Sequence, residues 1–438
     1  MRDLAVETRP WTEQIAADDA AYRAQVGYLY ERSPFYRGKL TDAGFGDAAS
    51  VGGLADIVRL PLTGKDELRA SRTPERPIGG HLAVPMADVV RIYSTSGTTG
   101  APSYIPLTAA DLADWTEISC RSYAASGIRS GERLVSTYGA GPFVAAVTLD
   151  AFAALGLCHI PVGASNTEKL IAAVAALAPD AVALTPSYAL HLAEWAEGRG
   201  IDLRATSVAR LMVAGEPGGG EPELRARIEA AWGARVTEAM GIGDIAVSLW
   251  GECAAQDGMH FSGRGFVHVE LIDPETGVPR ELEGGAEGEL VYTHLRQRAA
   301  PLLRFRSRDH VRVRAGPCAC GRTAPRVRCI GRTDDMLIVR GVNLFPTAVR
   351  EVVASFAPAV SGVVVLQPRR RGVGQTPPLP VVVELAEGRA VDPELAAAIR
   401  DRLRDRLGVG TEVELVPWGS LPRSDYKSKL VDWSAAEP

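Results

Sequence analysis

Ala181-Val182-Ala183-Leu184-Thr185 is a short apolar run, and Tyr188 to Glu197 follows it with apolar residues at helical spacing. The same unit repeats on both sides. Arg133 to Tyr138 and Cys158 to Val162 read as strands, each followed by a helical stretch, Ala145 to Leu155 and Thr167 to Leu177. Downstream, strand-like Val208 to Val213 precedes helical Glu223 to Trp232. Short apolar runs alternating with longer segments of helical periodicity predict βα units, hence a mostly parallel sheet covered by helices. Ligands of such a sheet gather beyond the carboxyl ends of its strands.

Working outward, residues 11–43 carry helical apolar spacing around Tyr22, Val26, Leu29 and Tyr30, and break at Ser33-Pro34. Past residue 260 the texture changes to strands and turns: Phe266 to Ile272, a turn at Asp273-Pro274-Glu275-Thr276-Gly277, then Gly288 to Thr293. A boundary is expected near 333. Beyond it come an amphipathic helix at Thr347 to Phe356, strands at Val360 to Leu366 and Val381 to Leu385, a helix at Asp392 to Leu407 and a strand at Glu412 to Val416. The expected fold class is α/β. A large N-terminal domain, residues 1–333, has mainly parallel sheets and helices plus a β-rich subdomain; a small α+β C-terminal domain spans residues 334–438.

The chain has 438 residues, 46% of them hydrophobic, enough for a substantial packed core. A net charge of −5 with both signs interspersed gives no broad basic surface, which argues against nucleic acid as a partner. Arg369-Arg370-Arg371 lies in the Pro- and Gly-rich stretch Pro368 to Pro380 and reads as a solvated loop. Arg2, Asp3, Glu7 and Arg9 leave no apolar segment for a signal peptide at the N-terminus. Phe143 to Gly163 contains Asp150, Gly156 and Pro161, so it reads as a buried helix and strand, not a membrane span. Six cysteines are too few for a disulfide scaffold, and a cytoplasmic location is expected. Among 48 basic residues the lysines are Lys39, Lys65, Lys169, Lys427 and Lys429. A lysine therefore departs from this chain's habit, and its compact charge suits a small developing charge better than a guanidinium fork.

Between two β-rich runs, Val89 to Tyr93 and Tyr104 to Leu107, stands Ser94-Thr95-Ser96-Gly97-Thr98-Thr99-Gly100. Glycines let backbone N–H groups converge on an anion and each hydroxyl adds a rotatable donor, so the loop suits phosphate. It lacks the Lys-Ser/Thr pair of a Walker loop and is followed by a strand. Cys318-Ala319-Cys320 with Cys253 and His260 offers three thiols and an imidazole, a donor set suited to tetrahedral zinc or, as the alternative, a set of buried reduced cysteines.

The loop Ser94 to Gly100, the turn Ala214-Gly215-Glu216-Pro217, the segment Met240-Gly241-Ile242-Gly243-Asp244, the run Arg304-Phe305-Arg306-Ser307-Arg308-Asp309, the block Gly331-Arg332-Thr333-Asp334-Asp335-Met336 and Pro422 to Lys427 occur in this order. In that order they resemble the motifs of the adenylate-forming enzymes. The chain is similar to the phenylacetate-CoA ligase branch of that superfamily, which also includes acyl-CoA synthetases, adenylation domains and luciferases. Ser33-Pro34-Phe35-Tyr36, Leu60-Pro61-Leu62-Thr63-Gly64-Lys65 and Arg340-Gly341-Val342-Asn343-Leu344-Phe345-Pro346 extend the likeness over nearly the whole length.

The resemblance implies that ATP and a carboxylic acid give an acyl-adenylate and pyrophosphate, with Mg2+, and that coenzyme A then takes the acyl group. It implies catalytic roles for Lys427, reaching the α-phosphate and the carboxylate, and for Asp244 as a metal ligand; Lys429 lies where no lysine is required. Nucleotide binding falls to Ser94, Thr95, Ser96, Gly97, Thr98, Thr99, Gly100, Gly215, Glu216, Pro217, Met240 and Gly241, with Asp309 on the ribose hydroxyls and Arg332 just before the hinge. Asp334 is the expected hinge residue, and Arg340 and Gly341 are expected along the thiol route. An aromatic or arylacetic acid is expected in a slot lined by Tyr138, Gly139, Phe143, Pro186, Ser187 and Tyr188. Relatives in this branch can carry a structural Zn2+ on similarly placed residues, which points to Cys253, His260, Cys318 and Cys320.

Three departures stand out. Ala101 replaces the lysine that usually follows the loop, Gly243-Asp244 replaces a hydroxyl residue followed by Glu, and Arg308 replaces a glycine before Asp309. Two rival readings follow. One keeps adenylation but passes the acyl group to a carrier protein or to a nitrogen nucleophile such as nitrite; the other is a non-catalytic nucleotide-binding protein. Neither a membrane nor nucleic acid is expected as a partner, and a homodimer is compatible with the sequence.

Overall fold

The computed structural model describes residues 2–95, 103–139, 144–163, 166–340, 342–423 and 428–437. One sheet of twelve strands organises most of the chain. Its parallel half runs Cys158–Pro161, Arg133–Ser136, Ala181–Leu184, Arg210–Ala214, Arg235–Ile242. From Arg235–Ile242 onward every pairing is antiparallel: Ala246–Glu252, Met259–Phe261, Arg326–Arg332, Phe305–Val313, Glu287–His294, Val267–Ile272 and Pro279–Arg280. The β-rich segment after 260 is thus continuous with the parallel half.

Alternation decides which residues meet which core. In Ala181–Leu184, Ala181 and Ala183 join the cluster holding Tyr123, Tyr138 and Phe152, while Val182 and Leu184 join the one holding Leu192, Ile228 and Trp232. All four are fully buried. A strand covered on both faces reads as a continuous apolar run, the pattern seen in the sequence. Helix Pro186–Glu197 begins with Thr185 accepting from the Tyr188 amide and Pro186 in its first turn. The N-terminal helix Trp11–Arg32 stops at Ser33, whose hydroxyl caps the helix Pro34–Asp42.

The last hundred residues have their own core of Val349, Val353, Val381, Val383, Ile399 and Leu403. Helices Pro346–Ala354 and Pro393–Leu407 pack on a sheet of Val360–Leu366, Leu379–Leu385 and Thr411–Val416. Thr347 and Arg350 turn away from this core: Thr347 Oγ1 donates to the Ile330 carbonyl, and Arg350 pairs with Glu221 at 2.7 Å. No described helix is long and apolar enough to cross a membrane.

Candidate functional site

The strands that flank the hydroxyl-rich segment, Arg91–Ser94 and Tyr104–Leu107, pair antiparallel as a hairpin. Ser94 and Thr95 are described, and the Thr95 amide donates to the Ser103 carbonyl at 3.0 Å. Ser96, Gly97, Thr98, Thr99, Gly100 and Ala101 lie outside the described residues. Lys65 extends toward the hairpin. Its Nζ lies 3.0 Å from Asp244 Oδ2 and 3.4 Å from Thr95 Oγ1. The sequence reading gave Lys65 no role, although the scarcity of lysine is a signal that could have found it.

Asp244 occupies the tight turn joining Arg235–Ile242 to Ala246–Glu252, with only 9% of its surface exposed. Gly241 makes that turn possible, because a Cβ there would sit 2.2 Å from the Val247 carbonyl oxygen. Gly241 therefore has a steric reason of its own, and Met240 beside it is half-buried at the strand end. His81 and His294 are both pushed down to about 4 by burial against the nearby Asp244 charge, so both are neutral at neutral pH.

Asp309 and Arg332 face each other across two antiparallel strands. Arg332 reaches Asp309 Oδ1 at 3.3 Å and grips Asp334 through Nε and Nη2 at 2.9 and 2.7 Å. Burial raises Asp309 to about 6, against the opposing pull of Arg332. Arg306 is instead bound to the buried Glu289, at 2.7 Å. Arg308, where the resemblance expects glycine, holds φ +67°, so the glycine-like backbone is kept by an L-residue.

The turn Gly215-Glu216-Pro217 ends strand Arg210–Ala214, with Gly215 at φ +97°. Glu216 Oε1 accepts from the Ser187 amide at 2.8 Å, and Oε2 accepts from the Ser428 amide and hydroxyl at 2.7 and 2.8 Å. Pro217 O accepts from Arg350 at 2.6 Å. Arg423 adds a second tie, donating to Glu194 at 3.0 Å and to Glu384 at 2.6 Å. Lys427 lies outside the described residues, between these two anchors at Arg423 and Ser428; Lys429 is exposed. Gly341 also lies outside them, and Arg340 is exposed at φ +50°.

The expected acid slot is not assembled as a single surface. Tyr138 stacks on Phe152 in one core, whereas Tyr188 is 1% exposed in the core on the other face of the sheet, stacked on His191 with its hydroxyl 3.0 Å from Thr167. The helix face that Tyr188 occupies turns it into the core on the far side of the sheet from Tyr138, so Tyr188 is corrected to a core residue, with Pro186 buried beside it at the helix start. Gly139 is exposed, Ser187 is half-buried beside Glu216, and Phe143 lies outside the described residues.

Cys253, His260, Cys318 and Cys320 converge, with their ligand atoms all within 4.8 Å of one another. Cys253 and Cys318 sulfurs are 3.6 Å apart and Cys320 Sγ is 3.4 Å from His260 Nε2. Tetrahedral zinc with Zn–S of about 2.3 Å and Zn–N of about 2.0–2.1 Å requires edges of roughly 3.6–3.8 Å, so the donor set fits. Burial, aided by Arg322, Arg326 and Arg264, drives His260 down to about 3 and keeps its ring neutral. The ligands join the strand Met259–Phe261, the end of Ala246–Glu252 and the loop before Arg326–Arg332.

A sheet domain carrying Lys65, Asp244 and Asp309, with a small α+β unit whose loop is tied to the Gly215 turn, is the architecture of an adenylate-forming enzyme. Residues 341–432 match the family of the AMP-binding enzyme C-terminal domain. The phenylacetate-coenzyme A ligase of Thermus thermophilus is 35% identical over 439 residues, 96% of either chain. That of Escherichia coli is 31% identical over 433 residues, 97% of this chain and 95% of its own. The chain belongs to the phenylacetate-coenzyme A ligase family of AMP-forming acid–thiol ligases. Among solved structures, 2-hydroxyisobutyryl-CoA ligase in the postadenylation state superposes with a TM-score of 0.90 at 28% identity, covering 98% of this chain and 91% of that one. The same ligase with its acyl-AMP and CoA in the thioester-forming state gives 0.72 at 28% identity, covering 99% and 92%.

Proposed function

We propose that this chain activates an aromatic or arylacetic carboxylate with ATP, releasing pyrophosphate, and transfers the acyl group from AMP to the thiol of coenzyme A. The observation that supports the reading is the docking of the two described residues that flank Lys427 in sequence, Ser428 on Glu216 of the Gly215-Glu216-Pro217 turn and Arg423 on Glu194. Asp309 would accept the ribose hydroxyls, and the Gly215 turn would receive the flat adenine. Lys65 and the donors at Thr95 would meet the phosphates, supplying a cation near the loop that carries Ala101. The single lysine charge of Lys427 would act on the α-phosphate, where negative charge grows in the transition state. Asp244 would hold Mg2+ through its carboxylate; magnesium supplies charge neutralisation at the phosphates and is commonly bound by one or two carboxylates plus phosphate oxygens.

Residues 334–438 act in this reading as a lid that turns about Asp334, with residues 1–333 as the fixed domain. The closer match to a postadenylation structure supports assigning the present arrangement to the first half-reaction. Zn2+ at Cys253, His260, Cys318 and Cys320 would be structural, since four protein ligands leave no open position.

The test is an acid-dependent pyrophosphate-release screen over benzoates, phenylacetates, cinnamates and heteroaryl acids, with 2-hydroxyisobutyrate as the aliphatic comparator. The strongest turnover is expected from an arylacetate or benzoate. Preference for the aliphatic acid would overturn the substrate class.

A further inference from the structure

Outside the nucleotide site, the small unit carries a cavity of about 280 Å³ lined by Arg340, Pro377, Pro378, Arg400, Arg404, Gly410 and Thr411. Its floor is the start of two paired strands, where Leu379 stands opposite Thr411. One wall is the last two turns of helix Pro393–Leu407, which present Arg400 and Arg404 one turn apart. Arg340 closes it from the hairpin turn between Leu337–Val339 and Val342–Leu344.

A simpler account would make Arg400 and Arg404 a solvated helix face, since both reach Asp401, at 3.3 and 3.4 Å. That account leaves two things unexplained. Arg340 has no carboxylate partner among the described residues and holds φ +50°, a backbone conformation unfavourable for an L-residue. Thr411, only 5% exposed, has a buried hydroxyl with no hydrogen-bond partner, and it lines the same cavity. Buried polar atoms are nearly always satisfied, so an orphaned hydroxyl beneath three guanidiniums marks a place where an acceptor is wanted.

We infer that this cavity binds a phosphate group at the nucleotide end of the thiol substrate, an inference that rests on the coenzyme A reading above. No carboxylate lines the cavity, and three guanidinium forks match the oxygens of a phosphate. At about 280 Å³ it lies just below the range of whole small-molecule pockets, roughly 300–1,000 Å³, which favours a phosphate over an entire nucleotide. Arg340 sits six positions past Asp334 in sequence, so a turn of the small unit about that residue moves the cavity together with the lid.

The experiment measures thioester formation with coenzyme A, 3′-dephospho-coenzyme A and pantetheine, for the wild type and an Arg400→Ala/Arg404→Ala variant, with adenylation followed separately by pyrophosphate release. The variant should raise the KM for coenzyme A at least tenfold while adenylation and pantetheine turnover keep their wild-type rates. A loss confined to coenzyme A assigns the 3′-phosphate; an equal loss with 3′-dephospho-coenzyme A assigns the diphosphate. Thr411→Val should weaken coenzyme A in the same sense with stability equal or higher. An unchanged KM for coenzyme A, or an equal loss with pantetheine, overturns the inference. A wild type that adenylates but transfers nothing to coenzyme A defeats the thiol reading instead. Direct coenzyme A titration then decides the cavity: binding weakened in the variant upholds it, and binding that is absent in the wild type or unaltered in the variant overturns it.

Discussion

Ser428 gives both its amide and its hydroxyl to a single carboxylate oxygen of Glu216, at 2.7 and 2.8 Å, while the other oxygen of Glu216 takes the Ser187 amide. One side chain thus joins the Gly215 turn, the start of helix Pro186–Glu197 and the loop of the small unit. Bonds to an ionised acceptor are the stronger kind, and misplacing a reacting group by about 1 Å can cost roughly 100-fold.

Glu216→Ala should therefore slow adenylation by about tenfold or more while transfer from a supplied acyl-adenylate to coenzyme A proceeds at least as fast as in the wild type. Separate half-reaction assays check this. Equal slowing of both steps would make Glu216 a general structural residue.

Lys427→Ala should reduce adenylation by about 100- to 1,000-fold with ATP still bound, the effect of removing one transition-state donor. Lys429, exposed and near Asp432, should tolerate Ala. A larger loss at Lys429 would shift the assignment of the loop by two residues.

Asp309 supplies the pH prediction. Its carboxyl is raised from 3.8 to about 6 by burial, so the folded state holds its proton more tightly than the unfolded chain. This group favours folding fully below about 3.8, and that contribution is lost as pH rises through about 6. ATP affinity runs the opposite way, weakening as pH falls through about 6 and the acceptor is protonated. Asp309→Asn should stabilise the ligand-free protein by on the order of 1–3 kcal/mol and weaken ATP binding. Calorimetric titration of ATP across that range, with thermal melts of both proteins, checks both signs; an ATP affinity flat between pH 5 and pH 7, roughly one unit either side of the Asp309 value, would remove Asp309 from the site.

The cysteine cluster predicts about one equivalent of zinc per chain by elemental analysis, with adenylation independent of added zinc. Cys318→Ser should lose metal and thermal stability together. A metal-free protein of undiminished stability would leave the cluster a packing feature.

Arg308 at φ +67° predicts that glycine is the better residue there. The left-handed conformation costs an L-residue about 1–2 kcal/mol, and glycine gives back about 0.4–1 kcal/mol through the unfolded chain. The ion pair Arg308 makes with Glu289 at 3.8 Å is half-exposed and adds little. Arg308→Gly should gain about 0.5–1 kcal/mol by denaturant unfolding, and a loss of similar size would mean that Arg308 does something else in the fold.

The parallel half of the sheet was legible because its strands are buried on both faces and bounded by helical periodicity; Thr167–Leu177 matches the sequence reading at both ends. The long helix Ala109–Ala125 was not read, although Thr108 and Asp111 form a reciprocal cap at its start. Strands Arg235–Ile242 and Ala246–Glu252 were read as a motif and not as strands, because Gly241 and Gly243 look like a loop until the close approach to Val247 gives Gly241 its reason. The grouping of Cys253, His260, Cys318 and Cys320 was legible from residue chemistry together with the resemblance, and the four side chains do converge. The Lys65–Asp244 pair was not, because no local pattern links residues so far apart in sequence. Tyr188 was placed in the acid slot by resemblance alone, and the helix face it occupies puts it in the core.

The central claim is that one chain performs both adenylation and thiol transfer, and product analysis tests it most directly. The purified protein is incubated with ATP, Mg2+ and the best acid of the screen, with and without coenzyme A. The account predicts pyrophosphate and enzyme-bound acyl-AMP without coenzyme A, and multiple turnovers to acyl-CoA and AMP with it. Release of ADP and phosphate, or acyl-AMP that coenzyme A does not consume, would contradict it.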